Sequence, residues 1–260
     1  MNEEEYLNFA EYLADRAREI SMKYFRANMQ EIGLELKSDS TPVSIADRKI
    51  EELLRSEIEK KYPSHAICGE EFAAKSGSEF EWIIDPIDGT KSFISGFPIF
   101  CTLIALLYQN KPLISLIDAP ALNNRFTATS STPSKLNGEI IRTRNTEKLN
   151  QAFIYSTSPD SDMFNDKQKI KQQKLKNQAA MQRYTGDGYS YGMLAAGWID
   201  LVVEADMKFY DFMPLVLIIK QAGGVISDWK GEELNMHSSG EILAAANKNL
   251  HQQALEVLNS

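Results

Sequence analysis

Between Trp82 and Phe100 the sequence reads WIIDPIDGTKSFISGFPIF, and six residues of it, 85 to 90, carry two carboxylates and a hydroxyl: Asp85, Asp88 and Thr90. Trp82, Ile83 and Ile84 read as a buried strand with Asp85 at its end. Pro86 fixes φ and removes a backbone donor, and Gly89 permits a geometry that a side chain resists. The chain must turn sharply there. Thr90 to Phe93 then reads as the start of a short helix, whose free N–H groups, with Gly89, form a place for phosphate oxygens. Carboxylates aimed at the same point as an anion-binding backbone need a cation between them, and an oxygen-only donor set selects Mg²⁺. A bare D-P-x-D-G string also fits ordinary turn chemistry.

Other acidic residues sit at places where either of two readings holds. Asp47 falls in the first turn of a helix carrying Ile50, Leu53, Leu54 and Ile58 inward, where the helix dipole alone favours a carboxylate. Asp211 opens an apolar helix expected to run to Ala222 and stop at Gly223-Gly224, so a plain cap accounts for it too. Glu70 and Glu71 follow a short strand, Ala66 to Cys68, and suit a solvated turn.

Taken together, these strings resemble the inositol monophosphatase superfamily of metal-dependent, lithium-sensitive phosphatases. Its signature, W-x-[IVL]-D-P-[IL]-D-G-T, is matched at Trp82 to Thr90. A second motif, K-x-D-x-T-P-V-[ST]-x-A-D, is matched at Lys37, Asp39, Thr41, Pro42, Val43, Ser44, Ala46 and Asp47. Gly69-Glu70-Glu71 lies where the family has G-E-E, with Glu70 fifteen residues before Asp85. Within the superfamily, K-S-F-I-S-G-F-P and the string around Asp187 and Glu204 are more similar to the histidinol-phosphatase branch. Phe209 departs from the family's usual proline, and Pro214 sits in the first turn of the helix that Asp211 opens.

The resemblance implies an α+β fold of five layers, αβαβα, with the site at the junction of an N-terminal half, residues 1–134, and a C-terminal half, residues 135–260. It implies that Glu70, Asp85 and the Ile87 carbonyl hold one Mg²⁺, that Asp85, Asp88 and Asp211 hold another, and that roughly two to three ions act per site. Thr90 and Asp47 would aim the attacking water, Gly89 and Thr90 would hold the phosphate, and Glu204, Asp187 and Gly188 would contact the substrate. Histidinol phosphate is the substrate this implies first, since Glu204 and Asp187 could meet its cationic amine or imidazole. An inositol or broad sugar phosphatase is the second reading. A non-catalytic phosphate-binding subunit is the third, and the complete set of matched ligand positions argues against it. The family's habit is the homodimer.

The rest of the chain must position these residues. Tyr6, Phe9, Ala10, Leu13, Ala17, Ile20 and Tyr24 recur at helical spacing and predict a first helix from about residue 3 to 27. CTLIALLY and KPLISLID, separated by Gln109-Asn110, predict an antiparallel hairpin with one strand buried on both faces. Asn123 to Ala128 adds a further strand. The polar stretch SSTPSKLNGEIIRTRN is the candidate boundary between halves. Beyond it the order alternates: strand Phe153–Ser156, helix 163–176, helix Tyr189–Ala196, strand Ile199–Val203, strand Ile242–Ala246 and a closing helix, Lys248 to Leu258.

Composition sets limits on function. The 260 residues are 43% hydrophobic, enough for a large core, and 36 acidic against 28 basic residues give a net charge of −8. That balance excludes a broad basic face for nucleic acid, and an anionic substrate then needs metal. Two cysteines, Cys68 and Cys101, form no disulfide framework, and a reducing cytoplasm is expected. The acidic amphipathic start is no export leader, and the longest apolar run is too short for a bilayer, so no membrane partner is expected. His65, His237 and His251 have no partner at ligand or triad spacing and are expected on the surface. Metal-activated water is favoured over a covalent intermediate.

Overall fold

The structure is a computed structural model that describes residues 2–33, 35–36, 42–158 and 163–260. Lys37, Asp39 and Thr41 of the second motif lie outside the described residues. A seven-stranded sheet runs in the order Ala66–Gly69, Phe80–Asp88, Cys101–Tyr108, Lys111–Ala119, Asn124–Thr129, Lys135–Leu136 and Glu139–Ile140; only its first pair is parallel. A five-stranded sheet runs Met181–Tyr184, Phe153–Ser156, Leu201–Glu204, Ile242–Ala245, Val225–Asp228, parallel for its first two pairs and antiparallel for the others.

Strand alternation divides the apolar side chains among three buried clusters. Trp82, Ile84, Ile104 and Leu106 face the helices Glu3–Tyr24 and Ile45–Lys61. Ile83, Leu103, Ala105 and Leu107 point the other way, toward the helices Asp187–Ala195 and Val216–Gln221 and the second sheet's Val202 and Ala244. Val203, Leu243 and Ala245 face Leu175 and Leu250, on the helices Asp166–Lys176 and Lys248–Leu258. Helix, sheet, helix, sheet, helix is the five-layered αβαβα sandwich, and the strand Cys101–Tyr108 is buried on both faces as its continuous apolar run requires.

Several boundaries move for identifiable reasons. The first helix ends at Tyr24, because Phe25 is extended at its C-cap. The helix expected from Asp211 to Ala222 begins earlier and is broken: Phe209–Phe212, a tighter turn at Met213–Leu215, then Val216–Gln221. Pro214 has no N–H to continue the ladder, which accounts for the break. Two of the histidines are not on the surface. His65 is 6% exposed, stacked between Tyr62 and Phe80, and its Nδ1 accepts from the Trp82 indole at 3.1 Å. His251 is buried with Nε2 2.7 Å from the Ser227 hydroxyl. Only His237 is exposed. The ring nitrogens let an otherwise apolar ring satisfy a buried donor, a pairing that spacing along the chain does not encode.

The layers are locked where the helix Asp187–Ala195 meets the first sheet. A Cβ at Gly192 would stand 2.5 Å from the ring of the fully buried Phe126 on Asn124–Thr129. The helix therefore lies against the sheet only because that residue has no side chain. Gly192→Ala is expected to cost about 1–3 kcal/mol by overpacking and to lower activity as well, because the same helix begins at Asp187. Urea denaturation and turnover of the variant check both effects.

Candidate active site

Asp85 and Asp88 are three residues apart, an odd spacing that puts side chains on opposite faces of a regular strand. Here the register shifts. Asp85 pairs with Leu103 and Asp88 with Cys101, so three steps on one strand match two on the other. This bulge turns both carboxylates to the inner face shared by Leu103 and Cys101. Pro86 sits in the bulge, where its missing N–H leaves no gap, and its carbonyl accepts from the Thr102 hydroxyl at 2.9 Å. The Ile87 N–H, released from the ladder, goes to Asp85 Oδ1 at 3.1 Å.

After the bulge Gly89 has φ +79°, and the short helix Thr90–Ile94 begins. Two contacts dock the start of Asp187–Ala195 on this loop. The Gly188 N–H donates to Asp88 Oδ2 at 2.5 Å, and the Ser92 hydroxyl donates to Asp187 Oδ2 at 3.0 Å. The glycines make the approach feasible, since a Cβ at Gly188 would lie 2.7 Å from Asp88 Oδ2 and one at Gly89 2.7 Å from Asp187 Oδ2. Asp187 itself adopts a left-handed backbone, φ +44°, which is strained for a residue with a side chain.

The other carboxylates arrive from separate elements. Asp47, on the helix Ile45–Lys61, is fully buried; its Oδ2 accepts from the Ser44 N–H at 2.8 Å and the Ser44 hydroxyl at 2.6 Å, while Oδ1 is buried with no partner among the described residues. Asp211 spends Oδ2 on the Lys208 N–H at 2.7 Å. Glu204, at the end of its strand, accepts at Oε1 from the Thr157 N–H (2.7 Å) and hydroxyl (2.9 Å), and its Oε2 is buried without a partner among the described residues. Ser92 and Thr157 were not singled out in the sequence; a serine two residues beyond D-G-T and a threonine at a strand end carry no signal until the fold brings Asp187 and Glu204 to them. The Thr90 hydroxyl donates to the Ile87 carbonyl at 3.1 Å and not to Asp47.

Burial and mutual repulsion push these acids upward. Asp85 is raised well above its ordinary value by desolvation first, then by the charges of Glu70, Asp88, Asp211 and Asp47. Asp88 is raised by desolvation, then by Asp187 and Asp211. Desolvation is also the first cause for Asp47 and Asp211, each pushed up to about 7, and for Glu204, pushed up to about 8. The charge of Glu70 adds to the upward push on Asp47, Asp85 and Asp211 alike. Among the described residues no three of these side chains close on one point as a ready cage. Asp85, Asp88 and Asp211 each accept from a backbone N–H instead, of Ile87, Gly188 and Lys208 in turn. The donor set is oxygen throughout, gathered from the first sheet, the Gly69 turn and the Phe209–Phe212 helix, and it fits a hard divalent cation. The thiol of Cys68 faces Glu81 at 3.1 Å and burial pushes it up to about 12, while Cys101 is raised by full burial; neither is a nucleophile. A more open groove, bordered by Lys148, Asn177, Gln253 and Ser260, includes none of these residues.

A five-layered sandwich with an acidic centre where a bulged strand meets the second sheet's helices has the architecture of a phosphatase. Comparison with known proteins agrees. The family described as the inositol monophosphatase family matches residues 2–260, and this chain belongs to it. The chloroplastic bifunctional phosphatase IMPL2 of Arabidopsis thaliana is 42% identical over 95% of this chain and 72% of its own length. A histidinol-phosphatase of Streptomyces coelicolor is 31% identical over 97% of this chain and 96% of its own. The solved structure of an inositol monophosphatase from Zymomonas mobilis superposes with a TM-score of 0.91 at 36% identity, covering all of both chains. The protein is thus a phosphatase of this family. No helix among the described residues is long and apolar enough to cross a membrane.

The raised acids have a consequence for stability. A carboxyl whose folded pKa lies above its unfolded value binds its proton more tightly when folded. The folded state is therefore favoured at low pH and loses that advantage as pH climbs through the folded pKa. For Asp211 the window runs from 3.8 to about 7, and for Glu204 from 4.5 to about 8. Without divalent cations, Tm is expected to fall as pH rises across that range. Adding Mg²⁺ at the upper end should recover much of the loss, measured by thermal scans with and without the ion.

Proposed function

We propose that this protein is a Mg²⁺-dependent phosphate monoester hydrolase whose preferred substrate carries a cationic group, with L-histidinol phosphate as the leading candidate. The observation that carries the reading is the convergence of Asp47, Glu70, Asp85, Asp88 and Asp211, each repelling others of the set, on the junction of the layers. That much buried negative charge suits a phosphate only if cations intervene. When bound, the cations supply charge neutralisation at the phosphoryl group and acidify the attacking water.

In this reading Glu70, Asp85, the Ile87 carbonyl, Asp88 and Asp211 hold the cations. Asp47, with its proton affinity raised to about 7 and Oδ1 unpartnered, is matched to take a proton near neutral pH. The Thr90 hydroxyl relays that proton: it turns from the Ile87 carbonyl to Asp47 and accepts from the water. The backbone N–H groups of Gly89 and Thr90 receive phosphate oxygens. Glu204 and Asp187 face the organic part of the substrate, and Gly188 seats Asp88. The working unit is a homodimer in the cytoplasm, and each chain divides into its two halves near residue 134.

Support for a cationic substrate comes from Glu204. An unpartnered carboxylate oxygen at the site is an expensive feature unless a donor fills it, and an ammonium or imidazolium does so where a neutral hydroxyl does so weakly. The similarity to a histidinol-phosphatase points the same way. The Zymomonas inositol monophosphatase, more identical than that relative, favours the second reading, inositol or sugar phosphates.

Phosphate release from a panel of monoesters in Mg²⁺ separates the two. L-histidinol phosphate should exceed inositol 1-phosphate in kcat/KM, and Glu204→Gln should shrink that preference roughly tenfold or more, the size of a charge-assisted contact of about 1.5–3 kcal/mol. Equal kcat/KM in the unmutated enzyme would promote the broad-phosphatase reading. Asp88→Asn should leave less than about a tenth of turnover, because it removes charge from the cation site, while raising Tm in the absence of metal by easing repulsion. Retained turnover would remove Asp88 from the ligand set.

A further inference from the structure

Glu51 is a fully buried carboxylate that the phosphatase chemistry leaves unused. It lies one turn after Asp47 on the helix Ile45–Lys61, and no oxygen of it is idle. Oε2 accepts from the Glu71 N–H at 2.7 Å, and Oε1 from the Phe72 N–H at 3.3 Å and from Arg55 Nε at 2.7 Å. Arg55 closes the figure by donating from Nη2 to the Phe72 carbonyl at 3.0 Å. Gly69 lies against the same carboxylate, and a Cβ there would overlap its oxygens, so the turn can close on Glu51 only with glycine at that position. Glu51 and Arg55 together thus bind the backbone of the turn Gly69-Glu70-Glu71-Phe72 on both its donor and its acceptor sides.

We propose that Glu51, held by Arg55, is a positioning residue for the cation site: it fixes the turn that carries Glu70 and so sets the protein's affinity for its divalent ion. This rests on the reading of Glu70 as a cation ligand. The half-buried turn carries two adjacent acids, its one apolar side chain, Phe72, lies 5.9 Å from the Arg55 guanidinium, and the charges of Asp85 and Asp211 push against Glu70. A buried ion pair bonded to the turn's own backbone opposes that push without adding a charge at the ligand position. Outer-sphere groups of this kind commonly govern metal affinity by ten- to a hundredfold.

Glu51→Gln is the direct test, since glutamine keeps the shape but has a single acceptor oxygen. Whichever way the amide is turned, an NH₂ faces a backbone or guanidinium donor. Mg²⁺ binding is measured by calorimetry on the purified variants, and turnover against Mg²⁺ concentration beside it. The expected result is an apparent Kd for Mg²⁺ raised about tenfold or more, with kcat at saturating Mg²⁺ within about threefold of the unmutated enzyme. Arg55→Lys, which cannot reach Glu51 and the Phe72 carbonyl together, should give a smaller shift in the same direction, and it carries the test if Glu51→Gln does not fold. Ile58→Val on the same helix lowers stability by packing alone and should leave Mg²⁺ affinity unchanged. If Glu70→Gln weakens Mg²⁺ binding while Glu51→Gln and Arg55→Lys lower only Tm, the positioning role is wrong. If Glu70→Gln itself leaves Mg²⁺ binding intact, the ligand reading fails and this proposal with it.

Discussion

The repulsion among carboxylates brought together from separate elements is the constraint on which the structure around the site depends. Asp85, Asp88 and Asp211 are all raised by desolvation and by one another's charge, and left alone they would drive the elements that carry them apart. The fold opposes this with backbone donors: the Ile87 N–H for Asp85, the Gly188 N–H for Asp88 and the Lys208 N–H for Asp211. Each of these bonds occupies one oxygen of its carboxylate. An acidic, oxygen-only arrangement of this kind suits a family whose phosphatases are generally metal-dependent.

The same residues therefore serve two purposes that a sequence reading sets against each other. Asp47 caps the helix Ile45–Lys61 through Oδ2 and Asp211 caps Phe209–Phe212 through Oδ2, so the ordinary helix-cap explanation holds for both. It accounts for half of each carboxylate. Asp47 Oδ1 is buried and unpartnered, at a cost no cap requires, and its proton affinity is raised to about 7. The capping bond fixes the side chain's orientation, and the remaining oxygen is thereby aimed.

Assembly across the layers follows from small residues. Gly188 and Gly89 allow Asp88 and Asp187 to approach backbone that a side chain would block, and Gly192 lets the helix behind them rest on Phe126. The Ser92–Asp187 and Thr157–Glu204 bonds then tie these two carboxylates to a neighbouring helix and strand end.

The sequence by itself determined the layered α+β class, the strands and most helices, and pointed to the acidic residues proposed for the site. Periodicity reports burial directly, and D-P-I-D-G-T is a local string whose turn chemistry is legible without a fold. What tertiary structure alone decided is of a different kind. The bulge that puts Asp85 and Asp88 on one face depends on the register of Cys101–Tyr108, a partner strand, and an odd spacing read alone places them apart. The buried roles of His65 and His251 depend on Trp82 and Ser227, remote in sequence or on another element. The break at Met213–Leu215 could be anticipated from Pro214, but the early start at Phe209 could not. Ser92, Thr157 and Glu51 are invisible along the chain because their types are ordinary at their positions. Their importance lies in what they touch, and contacts between distant residues are set by packing, which no local pattern records.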